Sequence, residues 1–180
     1  MTTLLKRATG SALDVFIERD VPPNTITLLS PHTQRIRYLT FPCNSRREVL
    51  SEVFSGPLPL LRRLLILEPD DPHNQPNVFV APPLPLFGGA INLEEFVFGQ
   101  GWDVPLNNFV FPNLTTFELY TPPRVESDAS VFLNFLEASP TLQTIEVDIC
   151  GAFVLENVPR GIVVLPNVKT FSLSVEAICL

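Results

Sequence analysis

Pro112-Asn113-Leu114-Thr115-Thr116-Phe117-Glu118-Leu119 is one of four copies of a phrase that decides the fold: proline, any residue, apolar, two free positions, apolar, one free position, apolar. The others are Pro59-Leu60-Leu61-Arg62-Arg63-Leu64-Leu65-Ile66, Pro140-Thr141-Leu142-Gln143-Thr144-Ile145-Glu146-Val147 and Pro166-Asn167-Val168-Lys169-Thr170-Phe171-Ser172-Leu173. Three further copies lack the proline: Ala12 to Ile17, Ile36 to Phe41 and Leu93 to Phe98. Counted from the first apolar position, the seven copies begin at 12, 36, 61, 93, 114, 142 and 168, at intervals of 24, 25, 32, 21, 28 and 26 residues. Recurrence in this range, sustained until the chain is full, is the signature of a stacked-repeat solenoid. Such an architecture presents a surface, which points to binding before catalysis.

The last two apolar positions of each copy are two residues apart, so they point to the same face of a strand. The proline ahead of them fixes its own φ and donates no hydrogen bond, which suits the approach to a strand better than its middle. Each copy is therefore read as one short strand. Strands are expected near residues 13 to 18, 37 to 42, 62 to 67, 94 to 99, 115 to 120, 143 to 148 and 169 to 174, roughly parallel and in chain order along one curved sheet. A lone strand cannot bury its apolar face, but parallel copies about 4.8 Å apart share one core.

The returns between strands differ. Asn44-Ser45 precedes Val49, Leu50, Val53 and Phe54 at helical spacing, and Gly56-Pro57 ends the run, which predicts a helix over 46 to 54. Ser127-Asp128 likewise precedes Val131, Phe132, Phe135 and Leu136, with Pro140 as the stop. Thr25 to Leu29 suits a shorter helical turn, and His32, after Ser30-Pro31, belongs to a turn. Residues 69 to 90, rich in proline and glycine, read as a long loop in the widest interval.

The phrase resembles the leucine-rich repeat, L-x-x-L-x-L-x-x-N/C-x-L, over essentially the whole chain. Asn44 and Cys150 hold the N/C position of the second and sixth copies, where the family uses the side chain to hydrogen-bond the backbone after the strand; Asp20, Pro69, Gly101, Pro122 and Glu176 stand there in the others. The resemblance implies an α/β fold, a leucine-rich-repeat-like solenoid with a curved parallel sheet and helices and loops on the convex side, in irregular repeats. It makes residues 1 to 180 a single domain of about seven repeats. The alternative is an ordinary mixed α/β domain with proline-rich turns. Leu4-Leu5-Lys6-Arg7-Ala8-Thr9-Gly10-Ser11-Ala12-Leu13-Asp14-Val15, Ser30-Pro31-His32-Thr33-Gln34-Arg35-Ile36-Arg37-Tyr38-Leu39 and Phe135-Leu136-Glu137-Ala138-Ser139-Pro140-Thr141-Leu142 are similar to the repeat region of F-box-like proteins of mushroom-forming fungi. That resemblance implies repeats that hold a protein to be modified, while an F-box ahead of them docks on the adaptor of a cullin-type ubiquitin ligase. Here the first copy begins near residue 12, so no F-box is expected within the chain, and an adaptor is a partner only if an F-box lies upstream.

Composition fits this setting. Hydrophobic residues make up 46% of the 180, which excludes a disordered tail. The net charge of −7 disfavours a nucleic-acid backbone, and no basic stripe overrules it. Cys43, Cys150 and Cys179 form no C-x-x-C pair and leave an odd thiol, as expected in the reducing cytoplasm or nucleus. No signal-like segment is expected near Met1, and Val78 to Ile91 is too short and proline-rich to span a bilayer, so no membrane is a partner. The sequon Asn113-Leu114-Thr115 falls where a strand starts and is read as chance.

Chemistry-bearing motifs are few. His73 lies among Glu68, Asp70 and Asp71, but without the spacing of a calcium loop this reads as a solvated acidic segment and not a metal site. Neither G-x-S-x-G nor a phosphate loop is present, and nothing near Cys150 marks an activated nucleophile. No catalytic residue, metal or cofactor is expected. An enzyme with catalytic groups dispersed on repeat loops, or a free-standing repeat binder unrelated to ubiquitin ligation, is the alternative to an interaction module.

The period of two also places the binding surface. With Leu64, Ile66, Phe96, Phe98, Phe117, Leu119, Ile145 and Val147 inward, the alternate residues face out. The candidate partner-binding residues on this concave side are Arg63, Leu65, Leu67, Glu95, Val97, Glu118, Tyr120, Glu146 and Asp148, an apolar middle with an acidic flank. A protein or peptide partner carrying basic residues beside an apolar anchor fits it, unless the segment 69 to 90 packs over the leucines. The last copy still carries Val175, Ala177, Ile178 and Leu180, so the edge there is expected to associate.

Overall fold

A computed structural model describes residues 10–17, 21–42, 53–54, 56–67, 90–99, 110–121, 129–150 and 163–176. The strands are β1 (Leu13–Phe16), β2 (Ile36–Pro42), β3 (Arg63–Leu67), β4 (Glu95–Phe98), β5 (Thr116–Thr121), β6 (Thr144–Cys150) and β7 (Thr170–Glu176). They form one seven-stranded sheet in chain order, and every neighbouring pair is parallel. The fold is α/β.

The apolar positions of the phrase build the core. Leu61, Leu64 and Ile66, then Leu93, Phe96 and Phe98, then Leu114, Phe117 and Leu119, then Leu142, Ile145 and Val147 are all buried. Each fully buried side chain of this size contributes about 1.5–3 kcal/mol of transfer free energy. The first copy departs from the expected phase. Ala12 is exposed and Leu13 takes the buried place, because the ladder pairs Leu13 with Ile36 but Asp14 with Tyr38, an irregularity that shortens the copy by one residue.

The recurring proline has a sharper role than strand approach. Leu61, Leu93, Leu114, Leu142 and Val168 each donate their N–H to the carbonyl three residues back, on Leu58, Ala90, Phe111, Ser139 and Leu165, at 3.1 to 3.3 Å. Four-residue turns result, and where proline is present it occupies their second position, whose φ it already satisfies. The residue opening the turn is itself inside: Leu58, Ala90, Phe111 and Ser139 are all buried.

The position just before the first apolar residue, free in the sequence phrase, is not free in four of the copies. Asn92 Nδ2 donates to the carbonyl of Pro59 at 2.7 Å, Asn113 Nδ2 to Ile91 at 2.8 Å, Thr141 Oγ1 to Pro112 at 2.9 Å and Asn167 Nδ2 to Pro140 at 2.9 Å. The copies of β4 to β7 are each stapled by their turn to the turn before it. The sequon nitrogen of Asn113 is committed to one of these bonds.

The returns carry α1 (Pro23–Thr27), a 3-10 helix (Ser30–Arg35) and α2 (Ala129–Glu137). Pro23 and Pro31 each stand in the first turn of their helix, where the missing N–H has no intrahelical partner to lose. The expected turn at His32 is thus six residues of 3-10 helix. α2 lies over β5 through aromatic contacts, with Phe117 centred 4.8 Å from Phe135, 6.3 Å from Phe132 and 5.8 Å from Phe96. Of the helix expected over 46 to 54 only Val53 and Phe54, both buried, are described; its remainder and nearly all of the 69–90 loop lie outside the described residues. No helix among the described residues is long and apolar enough to cross a membrane.

Candidate partner-binding face

Alternation along each strand sends the residues between the core positions to the opposite face, and the parallel register lines them up in rows. One row begins with Asp14, Tyr38, Arg63, Glu95, Thr116, Thr144 and Thr170. The middle row reads Phe16, Thr40, Leu65, Val97, Glu118, Glu146 and Ser172. A third holds Pro42 beside Leu67, and Tyr120, Asp148 and Ser174. All nine residues that the sequence nominates lie on this one face: Arg63, Leu65 and Leu67 on β3, Glu95 and Val97 on β4, Glu118 and Tyr120 on β5, Glu146 and Asp148 on β6.

The rows show a division of chemistry along the middle row. Phe16 is 73% exposed, Leu65 and Val97 are half-buried and Leu67 is 43% exposed, so the β1 to β4 side offers apolar surface. On β5 and β6 the same row is carboxylate, before Ser172 ends it on β7. Adjacent parallel strands lie about 4.8 Å apart, so Val97 and Glu118 are immediate neighbours while Leu65 and Glu146 stand about 14 Å from each other.

The cation in these rows, Arg63, belongs to the apolar half. Arg63 pairs with Glu95 at 2.8 Å, which removes Glu95 from the acidic flank that the sequence assigns to it. Arg37 grips both carboxylate oxygens of Asp14, at 3.2 and 3.0 Å, and its guanidinium lies 4.5 Å from the Tyr38 ring centre. Asp14 in turn favours the charged guanidinium, chiefly through that hydrogen bond. Such exposed pairs fix side-chain directions more than they stabilise.

Glu118, Glu146 and Asp148 are different. Among the described residues none of them pairs with a lysine or arginine. Glu118 sits directly opposite Glu146, an arrangement of like charges that costs stability and persists without compensation from a described cation. Tyr120 Oη donates to Glu118 Oε2 at 3.2 Å. Burial raises the Tyr120 pKa above the ordinary phenol value, and the charges of Glu118 and Glu146 raise it further, so the ring stays neutral beside them. Asp148 Oδ1 is shut away from water and has no hydrogen-bond partner among the described residues.

Sequence reasoning missed a concavity at one end of the strands. A groove of about 480 Å³ runs across the turns at the N-terminal ends of β4 to β7, from Asn92 to Asn167. Its signal was the Asn or Thr repeated just before the first apolar position of the phrase. Those side chains already donate to backbone, Thr115 Oγ1 donates to the Glu94 carbonyl at 2.9 Å, and Glu94 pairs with Arg62 at 3.0 Å. Its lining holds copies together. No group of three or more metal-ligating side chains occurs among the described residues. No family model, curated protein or solved structure matches this chain, so a role has to be inferred from the chemistry of the face itself.

Proposed function

We propose that this chain is a protein-protein interaction module of leucine-rich-repeat type, and not an enzyme, whose outward sheet face is the concave surface that receives a partner. The observation that carries this reading is the stretch of the middle row in which Leu65 and Val97 stand beside Glu118 and Glu146, two apolar residues next to two carboxylates that no described cation pairs. Apolar side chains beside a charged border have the anatomy of a protein interface. A lysine or arginine from a partner relieves the Glu118–Glu146 repulsion. The partner is therefore an extended segment with an apolar anchor for Leu65 and Val97 and a basic residue for the β5–β6 carboxylates. At about 3.3 Å per extended residue, a segment lying across the strands bridges the roughly 14 Å from Leu65 to Glu146 in about four residues.

The similarity of the repeats to those of fungal F-box-like proteins supports a more specific role, the substrate-recognition part of a ubiquitin ligase receptor in the cytoplasm or nucleus. A cullin-ligase adaptor is then a second partner through an F-box outside these repeats.

The test is a screen of short random peptides on the purified chain. Binders are expected to carry a large apolar residue about four positions from a lysine or arginine. Leu65→Asp with Val97→Asp abolishes their binding, whereas Glu118→Lys with Glu146→Lys slows association and weakens the salt dependence. Binding untouched by the first pair in a folded variant overturns the reading.

A further inference from the structure

The two ends of the sheet are unequal. β1 is short, its ladder to β2 is irregular between Leu13 and Asp14, and Asp14 brings a charge clamped by Arg37. Those are the devices by which edge strands avoid pairing. Its core side is closed as well, with Leu13, Val15 and Ile17 at 7 to 9% exposure.

β7 has none of these protections. It runs seven residues in an unbroken register with β6, without proline, and residues 170 to 175, Thr-Phe-Ser-Leu-Ser-Val, carry no charge. Its other edge is unpaired among the described residues. The core positions tell the same story. Ile145 and Val147 on β6 are 0 and 1% exposed, whereas their register partners Phe171 and Leu173 on β7 are 57 and 54% exposed. What closes a copy elsewhere in the sheet is the apolar pair of the next strand, and β7 lacks that strand among the described residues.

We propose that the free edge of β7 is a strand-pairing interface and that its occupant is a second copy of this chain, joined antiparallel about a two-fold axis at Leu173. The sequence of the strand favours its own copy. With Leu173 opposite Leu173, Ser172 meets Ser174, Phe171 meets the position of Val175, and Thr170 meets that of Glu176. Directly opposed residues of antiparallel strands share a face, so the apolar positions of both copies fall on the core side and the hydroxyl positions on the outward side. No like charges meet. The two sheets become one fourteen-stranded sheet with an isologous junction, and the candidate partner faces continue across it.

Sedimentation of the 180-residue chain over rising concentration reads this directly. A shift from monomer to dimer is expected, and Leu173→Lys, which sets two like charges against each other on the axis at a position already half exposed, keeps the chain monomeric with its circular dichroism unchanged. The register is read by cross-linking. In a background with Cys43, Cys150 and Cys179 replaced by alanine, Leu173→Cys forms an intermolecular disulfide on oxidation, because directly opposed antiparallel residues lie about 4.5–5.5 Å apart at Cα, within disulfide reach. Ser172→Cys, opposite Ser174 and not itself, cross-links far less. A monomer at every concentration, or a dimer indifferent to Leu173→Lys, overturns the proposal; a dimer that Leu173→Lys dissolves but that never cross-links at 173 overturns the two-fold register.

Discussion

Single side chains carry the electrostatics of the outward face, and Tyr120 is its reporter. Its phenol is raised by burial first and by Glu118 and Glu146 after that. A raised phenol holds its proton in the folded state when the unfolded chain has begun to lose it, so stability is intact below the unfolded value, about 10, and falls as pH climbs past it. Denaturant titrations at rising alkaline pH should therefore show a decline that Tyr120→Phe makes shallower. Glu118→Gln removes one raising charge, and the late ultraviolet change of the phenolate then moves to lower pH; an unmoved transition would show that Glu118 does not act on the ring. The parity of the strand made all nine face residues legible, since alternation is a local property. The bond between Arg63 and Glu95 was not legible, because it depends on which strand lies next to which. The staples at Asn92, Asn113, Thr141 and Asn167 escaped for the same reason, as their acceptors lie 22 to 33 residues away.

At the level of elements, the phrase located the described strands by its period of two, reinforced from β3 onward by a residue that closes a turn and, in four of those five copies, by a proline of fixed φ. The starts of β3 to β7 each fall a residue later than the sequence suggested. The Ala12 copy misled because a ladder irregularity removes one residue, which no spacing rule detects. α2 was legible from Val131, Phe132, Phe135 and Leu136, while its docking partner was not. That partner is Phe117, fully buried between Phe96 of β4 and Phe132 and Phe135 of the helix. Phe117→Ala leaves a cavity bordered by three rings and is expected to cost about 3–5 kcal/mol in chemical denaturation. Val97→Ala, on the other face of the neighbouring strand, should cost far less, and equal losses would show that α2 is not fastened through this ring.

The whole molecule is assembled from neighbours alone. Among the described elements the strand contacts join consecutive strands and α2 packs on β5, the strand just before it, so each element leans on its neighbours in sequence. Stability in such arrays is close to a sum over copies and their junctions. Nascent chains arrested at increasing length should accordingly gain protease resistance in increments of about one copy, and a single jump at full length would refute this. The turn staples give that sequence of events a direction. Asn92 reaches back to Pro59, Asn113 to Ile91, Thr141 to Pro112 and Asn167 to Pro140, always from the later copy to the earlier one. As the ribosome releases the chain, every acceptor is in place before its donor emerges. The staples can thus be closed one after another as the protein is made, each as soon as its own turn emerges.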